Sequence, residues 1–350
     1  MNYVKIMLIA TITGLSLCSC KQRAPEKTQE PFKYLADEFA DIKVIRFQIP
    51  GWDSLTLQQK EYIYHLSEAV KCGRDIFWDQ NSKYGLKVRK VLEQILDNYN
   101  GEKESKDYNE FMVYAKRVFF SNGIHHHYAE EKILPGCSKE YFAGLMSQSG
   151  LDSLKDEMLP IIFDPAIAPY RKNISGKGDL ITESAVNFYD GITAGEAESF
   201  YAKLEKPNDP KPLSYGLNSK LVKQNGKIEE RVYKAGGLYG AAIEKIIYHL
   251  EKAASVAENA NQREYIKLLC DYYKSGDLKI WDDYNIAWVS ETGSQVDFIN
   301  GFIENYNDPL GRKATWEGLV NIKDLEASKR TQIISENAQW FEDNSPIDPK

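Results

Sequence analysis

Two carboxylates, a tyrosine and several aromatic side chains lie close together in the last sixth of the sequence. They are Glu304, Tyr306 and Glu317, carried on Phe298-Ile-Asn-Gly-Phe-Ile-Glu304-Asn-Tyr306-Asn-Asp308-Pro-Leu-Gly311 and on Thr315-Trp316-Glu317-Gly318. Carboxylates beside aromatic rings are what a pocket for a cationic amine needs. The carboxylate pairs the ammonium, and the low-dielectric wall strengthens that pairing. Read without a function, the same stretch is a strand hairpin with solvated acids.

His125-His126-His127 is a second conspicuous cluster. Neutral imidazole is a common zinc ligand. Consecutive side chains diverge by about 100° on a helix and about 180° on a strand, so three adjacent histidines seldom serve one ion. Glu130 stands four residues after His126 and could join it. A metal site, a cleft-lining loop and an ordinary structural loop all remain open. Ala235-Gly-Gly-Leu-Tyr-Gly240 precedes a helical pattern but lacks both phosphate-binding spacings, so it reads as a turn. No nucleophile elbow of the G-x-S-x-G kind occurs. Cys72, Cys137 and Cys270 are scattered; they suggest small buried hydrophobes rather than a disulfide or metal framework.

The elements that must position these residues are mostly helical. Apolar residues recur at helical spacing over Gln58 to Phe77, Leu86 to Tyr99, Tyr108 to Phe119, Leu238 to Ala257, Gln262 to Tyr273 and Asp324 to Phe341. Ile243, Ile246, Ile247, Leu250 and Ala254 make the clearest single stripe. Strands are fewer. Lys43 to Gln48 is one. Ser219 to Gln224 and Lys227 to Tyr233 form a hairpin across Asn225-Gly226, the pair that best supplies positive φ to a type I′ turn. Gln295 to Tyr306 pairs with Thr315 to Ile322 across Asn307-Asp-Pro-Leu-Gly311.

The chain has 350 residues, 43% hydrophobic and 27% charged, with a formal charge of -7. That excludes a disordered or collagen-like class and leaves no basic footprint for nucleic acid. The one long apolar run, Ile6 to Leu17, fits the core of an export signal and is too short to span a bilayer comfortably. Leu17-Cys-Ser-Cys20 resembles the bacterial lipobox, which makes residues 1–19 a lipoprotein signal peptide and Cys20 the lipidated residue. Residues 20–38 then read as a solvated tether. The expected location is the bacterial cell envelope, with the membrane as partner through the lipid anchor.

The block Gly301 to Gly311, followed by Trp316-Glu317-Gly318, resembles a signature of the dipeptidyl peptidase III family. These are zinc exopeptidases that release dipeptides from peptide N-termini. Asn122-Gly-Ile-His-His-His-Tyr128 and Lys132-Ile-Leu-Pro135 are similar to elements of its bacterial members. The resemblance runs from about Phe39 to the C-terminus. It implies an α+β lobe, mainly helical with a small antiparallel β-barrel-like core. It also implies that Glu304 and Tyr306 hold the substrate's amino terminus and backbone, with Glu317 on the same wall. The family's zinc motif, His-Glu-x-x-Gly-His, is missing, since none of the five histidines precedes a Glu. The expectation is an N-terminal substrate-cleft lobe, residues 39–350, truncated before the zinc lobe. It would carry no catalytic or metal-binding residue and would be inactive alone. Zinc would belong to the full-length family only; the partners would be a peptide with a free N-terminus and the missing C-terminal zinc lobe. A competing expectation is a non-catalytic lipoprotein that binds peptides or glycans.

Overall fold

The computed structural model describes residues 31–347. The expected signal peptide, the expected lipidation site Cys20 and most of the expected tether lie outside the described residues. Strands β1 (Leu35–Phe39) and β2 (Ile42–Ile45) pair as a two-stranded sheet. Of the described residues, those up to Glu38, with Lys43–Gln48, form one unit; Phe39–Ile42 and those from Ile49 onward form the other, which carries everything below.

Helix α1 (Leu57–Cys72) opens with a capping box between Thr56 and Gln59 and buries Tyr62, Ile63, Leu66 and Ala69. The single helix expected to Phe77 instead breaks at Gly73, and α2 (Arg74–Asn81) follows. Packing keeps a side chain off this junction: a Cβ at Gly73 would lie 2.1 Å from Trp316 Cζ2. Four further helices come next: α3 (Gly85–Asn98), α4 (Lys106–Ser121), α5 (Lys139–Gln148) and α6 (Lys155–Phe163). With Trp78 of α2 they enclose a core around Leu92, Ile95, Phe111, Val118 and Phe142. Strand β3 (Tyr189–Asp190) and helix α7 (Ala194–Ala202) lead to β4 (Ser219–Gln224) and β5 (Lys227–Val232). β4 and β5 pair antiparallel across Asn225 (φ 53°) and Gly226 (φ 78°), the turn geometry the Asn-Gly pair predicts. β3 adds to β4 in parallel.

The core that supports the site is built from α1, α8 (Gly240–Ser255), α9 (Ala260–Ser275), α10 (Leu278–Ser290), β6 (Val296–Phe302) and β7 (Trp316–Ile322). The predicted α8 stripe is fully buried there: Ile243, Ile246, Ile247, Leu250 and Ala254. Each of the isoleucine and leucine side chains contributes roughly 1.5–3 kcal/mol on burial. β6 and β7 are antiparallel, with Phe302 opposite Trp316 and Gly301 opposite Glu317. Helices α11 (Leu325–Glu336) and α12 (Ala338–Asp343) replace the single last helix expected; Asn337 separates them, and neither buries a residue.

The described chain is thus a mixed α and β fold, mainly helical. Its described strands form three separate sheets, of two, three and two strands, and no closed barrel. The β-barrel-like core implied by the family resemblance therefore has no counterpart among the described residues. β6 and β7 lean on helices rather than on another sheet: Tyr62 and Leu66 of α1 share their core with Phe298, Phe302 and Trp316.

Candidate functional site

The β6–β7 connection positions the two acids and the tyrosine. The strand ladder runs past the end of β6: the Ile303 amide donates to Thr315 O at 3.0 Å, and the Thr315 amide and hydroxyl both donate to Glu304 O, at 2.9 and 3.0 Å. This fixes the Glu304 backbone opposite Thr315, two residues before Glu317. The turn beyond is closed by Asp308, which is buried. Its Oδ2 accepts from the Tyr189 hydroxyl at 2.9 Å and from the Arg312 and Lys313 amides at 2.8 Å; its Oδ1 accepts from the Leu310 amide at 3.3 Å. Gly311 takes φ 62°, the left-handed conformation that glycine adopts without strain.

Lys313 pins the far limb. Its ammonium is completely buried and donates to the Tyr201 hydroxyl at 2.7 Å and to Ser219 O at 2.9 Å. Burial lowers its pKa to about 7, against the opposing pull of Glu230 and Asp308. Asp308 and Lys313 thus make a turn of mostly polar residues as firm as a packed element. Glu304 and Tyr306 stand exposed on a limb that is itself fixed.

The three predicted residues come together. The Glu317 carboxyl is raised above the ordinary carboxylate range, first by burial and then by the charge of Glu304; a hydrogen bond with Thr315 opposes this. The Tyr306 hydroxyl is raised by burial, then by Glu317 and Glu304. Two like charges facing one phenol is an arrangement that an added cation relieves. Glu317 also lines a cleft of about 590 Å³, whose walls include Val70, Phe77, Ile299, Trp316 and Leu319. A larger cavity, about 670 Å³, lies among Lys83, Asn187, Asp190 and Lys220. None of the three residues lines it, so the acidic cluster rather than the size of a void defines the candidate site.

Arg171 and Lys172, which sequence reasoning did not assign, complete the surroundings together with Glu130, which it weighed only as a metal partner of His126. Arg171 grips Glu130 with two contacts of 3.0 Å, from Nε and from Nη2, and both side chains are largely shielded. Both charges act on the Tyr306 hydroxyl, Arg171 lowering its pKa and Glu130 raising it. Lys172 donates to Tyr306 O at 2.5 Å. No local pattern marks a pair forty-one positions apart. Glu130 sits at φ 43° and serves Arg171, so the His126–Glu130 spacing is not a metal pair.

The three histidines divide their roles. His125 is buried, its ring held low at about 4 by desolvation, with Nε2 2.9 Å from Ala168 O. His126 Nδ1 accepts from the Tyr128 and Ala129 amides at 3.2 and 3.1 Å. His127 stacks on His126 with ring centroids 4.4 Å apart. Among the described residues no group of three or more His, Cys, Asp or Glu is placed to hold a metal ion. The described residues thus offer no ligand set of the three-ligand kind that a catalytic zinc centre uses. Cys137 and Cys270 are buried thiols, and Cys72 is half-buried; all three are free.

Residues 214–349 match the model of Peptidase family M49. Dipeptidyl peptidase 3 of Dictyostelium discoideum is 22% identical over 328 residues, covering 85% of this chain and 46% of its own length. The human protein of the same name is 20% identical, covering 84% of this chain and 46% of itself. Among solved structures, DPP III from Caldithrix abyssi superposes with a TM-score of 0.56 at 17% identity, over 84% of this chain and 45% of that one. Dipeptidyl-peptidase III from a Corallococcus strain gives 0.55 at 16% identity, over 86% and 45%. The chain spans a little under half the length of these curated relatives and shares the fold of the part it spans. The resemblance read from Gly301 to Gly318 is thereby shown: residues 214–349 match the model of Peptidase family M49, and most of the chain is similar to part of the dipeptidyl peptidases III.

Proposed function

We propose that this chain supplies the amine-binding wall of a dipeptidyl peptidase III-like metallo-exopeptidase. The observation that carries the reading is the convergence of Glu304 and Glu317 beside Tyr306, with neither carboxylate held in an ion pair among the described residues. An exopeptidase must distinguish a terminal ammonium from an internal amide. In this reading Glu304 and Glu317 bind the ammonium, the Tyr306 hydroxyl hydrogen-bonds the first peptide unit, and the Trp316–Leu319 wall covers the adjoining side chains. Each charge-assisted bond contributes about 1.5–3 kcal/mol.

Zinc is the family's Lewis acid for amide hydrolysis, and the residues described here do not fit it. The chain alone is therefore expected to bind peptides without cleaving them. The proposed partner is a zinc-bearing lobe. Leu325, Ile333, Ile334, Trp340 and Phe341 on α11 and α12 are each more than half exposed, and this supports a docking role for that face. The lipobox-like Leu17-Cys-Ser-Cys20 supports anchorage at a bacterial cell envelope. Cys20→Ala should abolish fatty-acid labelling; persistent labelling would remove the anchor.

The test of the enzymatic reading is complementation. Joining this chain to a zinc-bearing lobe should give release of arylamine from a dipeptidyl arylamide, and Glu304→Gln should lower kcat/KM at least about tenfold, the loss of about 1.4 kcal/mol of binding. Activity of the 350-residue chain alone with added zinc, or unchanged kinetics in Glu304→Gln, would overturn it.

A further inference from the structure

One pair of histidines lies outside the acidic cleft and has no part in the proposal above. His65 is on α1 and His249 on α8, the two helices that pair through the central core. Their ring centroids are 5.9 Å apart, with the planes tilted by 37°. Both Nδ1 atoms are shielded from solvent, and neither has a hydrogen-bond partner. An orphaned buried nitrogen calls for a partner, either water or an ion. Two such rings, with centroids 5.9 Å apart across one helix pair, are close enough to share one.

We propose that His65 and His249 form an interhelical site for a borderline divalent transition metal, with Cu²⁺ bound most tightly. The reach is sufficient. A metal lies about 2.1 Å from an imidazole nitrogen, so two rings can share one ion with centroids up to roughly 6.4 Å apart. The protonation state also suits: His65 titrates below its ordinary value, first through desolvation, then through His249 and Lys252, so it offers a neutral ring at pH 7. Facing it are Glu61 and Glu68 on α1, which oppose that lowering, and Lys252 on α8. Glu61 is one turn before His65 on the same helical face, but among the described residues no third His, Cys, Asp or Glu is placed to join the pair as a ligand. Glu68 is occupied by Lys71. Tyr64 and Tyr248 flank the two rings edge-on, each 5.1 Å away, and are more than half exposed, and both imidazoles are only partly buried, so solvent reaches the outer edge of the ring pair. Water completes the coordination, which makes this an exchangeable clamp rather than a closed structural centre. Two imidazoles with open positions favour Cu²⁺ over Ni²⁺ and Zn²⁺.

Binding here would tie α1 to α8, and so stabilise the folded chain in proportion to metal concentration. The test is titration of the whole chain with Cu²⁺ alone near neutral pH, read by visible absorbance and by the thermal midpoint. One equivalent should bind at about micromolar strength and raise Tm. His65→Gln and His249→Gln should each weaken binding at least about tenfold and remove the Tm rise, while a His126→Gln, His127→Gln double variant leaves both unchanged. Should a Gln variant fail to fold, selective broadening of the His65 and His249 ring signals by substoichiometric Cu²⁺ in the wild type tests the same site. No binding, broadening elsewhere, or loss that follows His126 and His127 would overturn the proposal.

Discussion

Asp308 decides whether the acidic site exists. Its carboxylate takes four donors: the Tyr189 hydroxyl, the Arg312 and Lys313 amides, and more weakly the Leu310 amide. Tyr189 and Lys313 are themselves buried, so Asp308→Ala strands two donors where water cannot replace the lost acceptor. Each orphan costs about 1–3 kcal/mol. Lys313 also loses a nearby negative charge. The sum is about 3–5 kcal/mol, the range seen when one partner of a buried charged network is removed. Asp308→Asn separates geometry from charge. Its carbonyl oxygen can keep the three donors now on Oδ2, leaving the amide nitrogen to face only the long Leu310 contact, so the loss should be about 1–2 kcal/mol. Urea unfolding followed by tryptophan fluorescence and circular dichroism measures both. A loss under about 1 kcal/mol for Asp308→Ala, or equal losses for the two variants, would refute the account of the turn. Because Glu304 and Tyr306 ride on the same turn, Asp308→Ala should also lose peptide binding, while Asp308→Asn keeps most of it.

Other outcomes follow from the same contacts. The Lys313 ammonium is held at about 7 in the folded chain against 10.5 in the unfolded one, so between those values the unfolded chain holds the extra proton. Stability should therefore rise with pH across that window, by up to about 1.4 kcal/mol per unit, and the rise should vanish in Lys313→Met; parallel curves would count against it. Gly73→Ala drives a methyl into the Trp316 ring and should cost about 1–3 kcal/mol by thermal unfolding, with the β7 end of the cleft displaced. Arg171→Ala leaves Glu130 shielded without its partner and should lower Tm while shifting the Tyr306 phenol upward in a spectrophotometric titration; an unmoved Tyr306 would separate that pair from the site. Peptide affinity should fall on acidification as the raised Glu317 carboxyl takes up a proton, at a higher pH than an ordinary carboxylate would; in Glu317→Gln that limb should disappear.

Local periodicity revealed what is locally determined. The Ile243–Ala254 stripe on α8 and the Asn225-Gly226 hairpin are set by side chains within one element, and both form as read. The requirement for glycine at 73 comes from Trp316, far along the chain, a tertiary contact that local periodicity does not carry. α5, α6, α7 and α10 escaped the reading. The first three are short, and α6 holds Pro160 inside it. At the site, Glu304, Tyr306 and Glu317 were legible because a hairpin turn brings them together over thirteen positions of chain. Arg171 and Glu130 were not, because only the tertiary fold joins them. The network around Asp308 was visible as a turn but not as a buried anchor, since its partners Tyr189 and Tyr201 sit more than a hundred residues away.

The central claim is that Glu304 and Glu317 recognise a free peptide amine. Calorimetric titration of the chain with one short peptide, first with a free N-terminus and then N-acetylated, tests it most directly. The account predicts measurable binding of the free amine, at least about tenfold weaker binding of the acetylated form, and the same loss in Glu304→Gln and Glu317→Gln. Equal affinity for the two peptides, or undiminished binding in both variants, would contradict it.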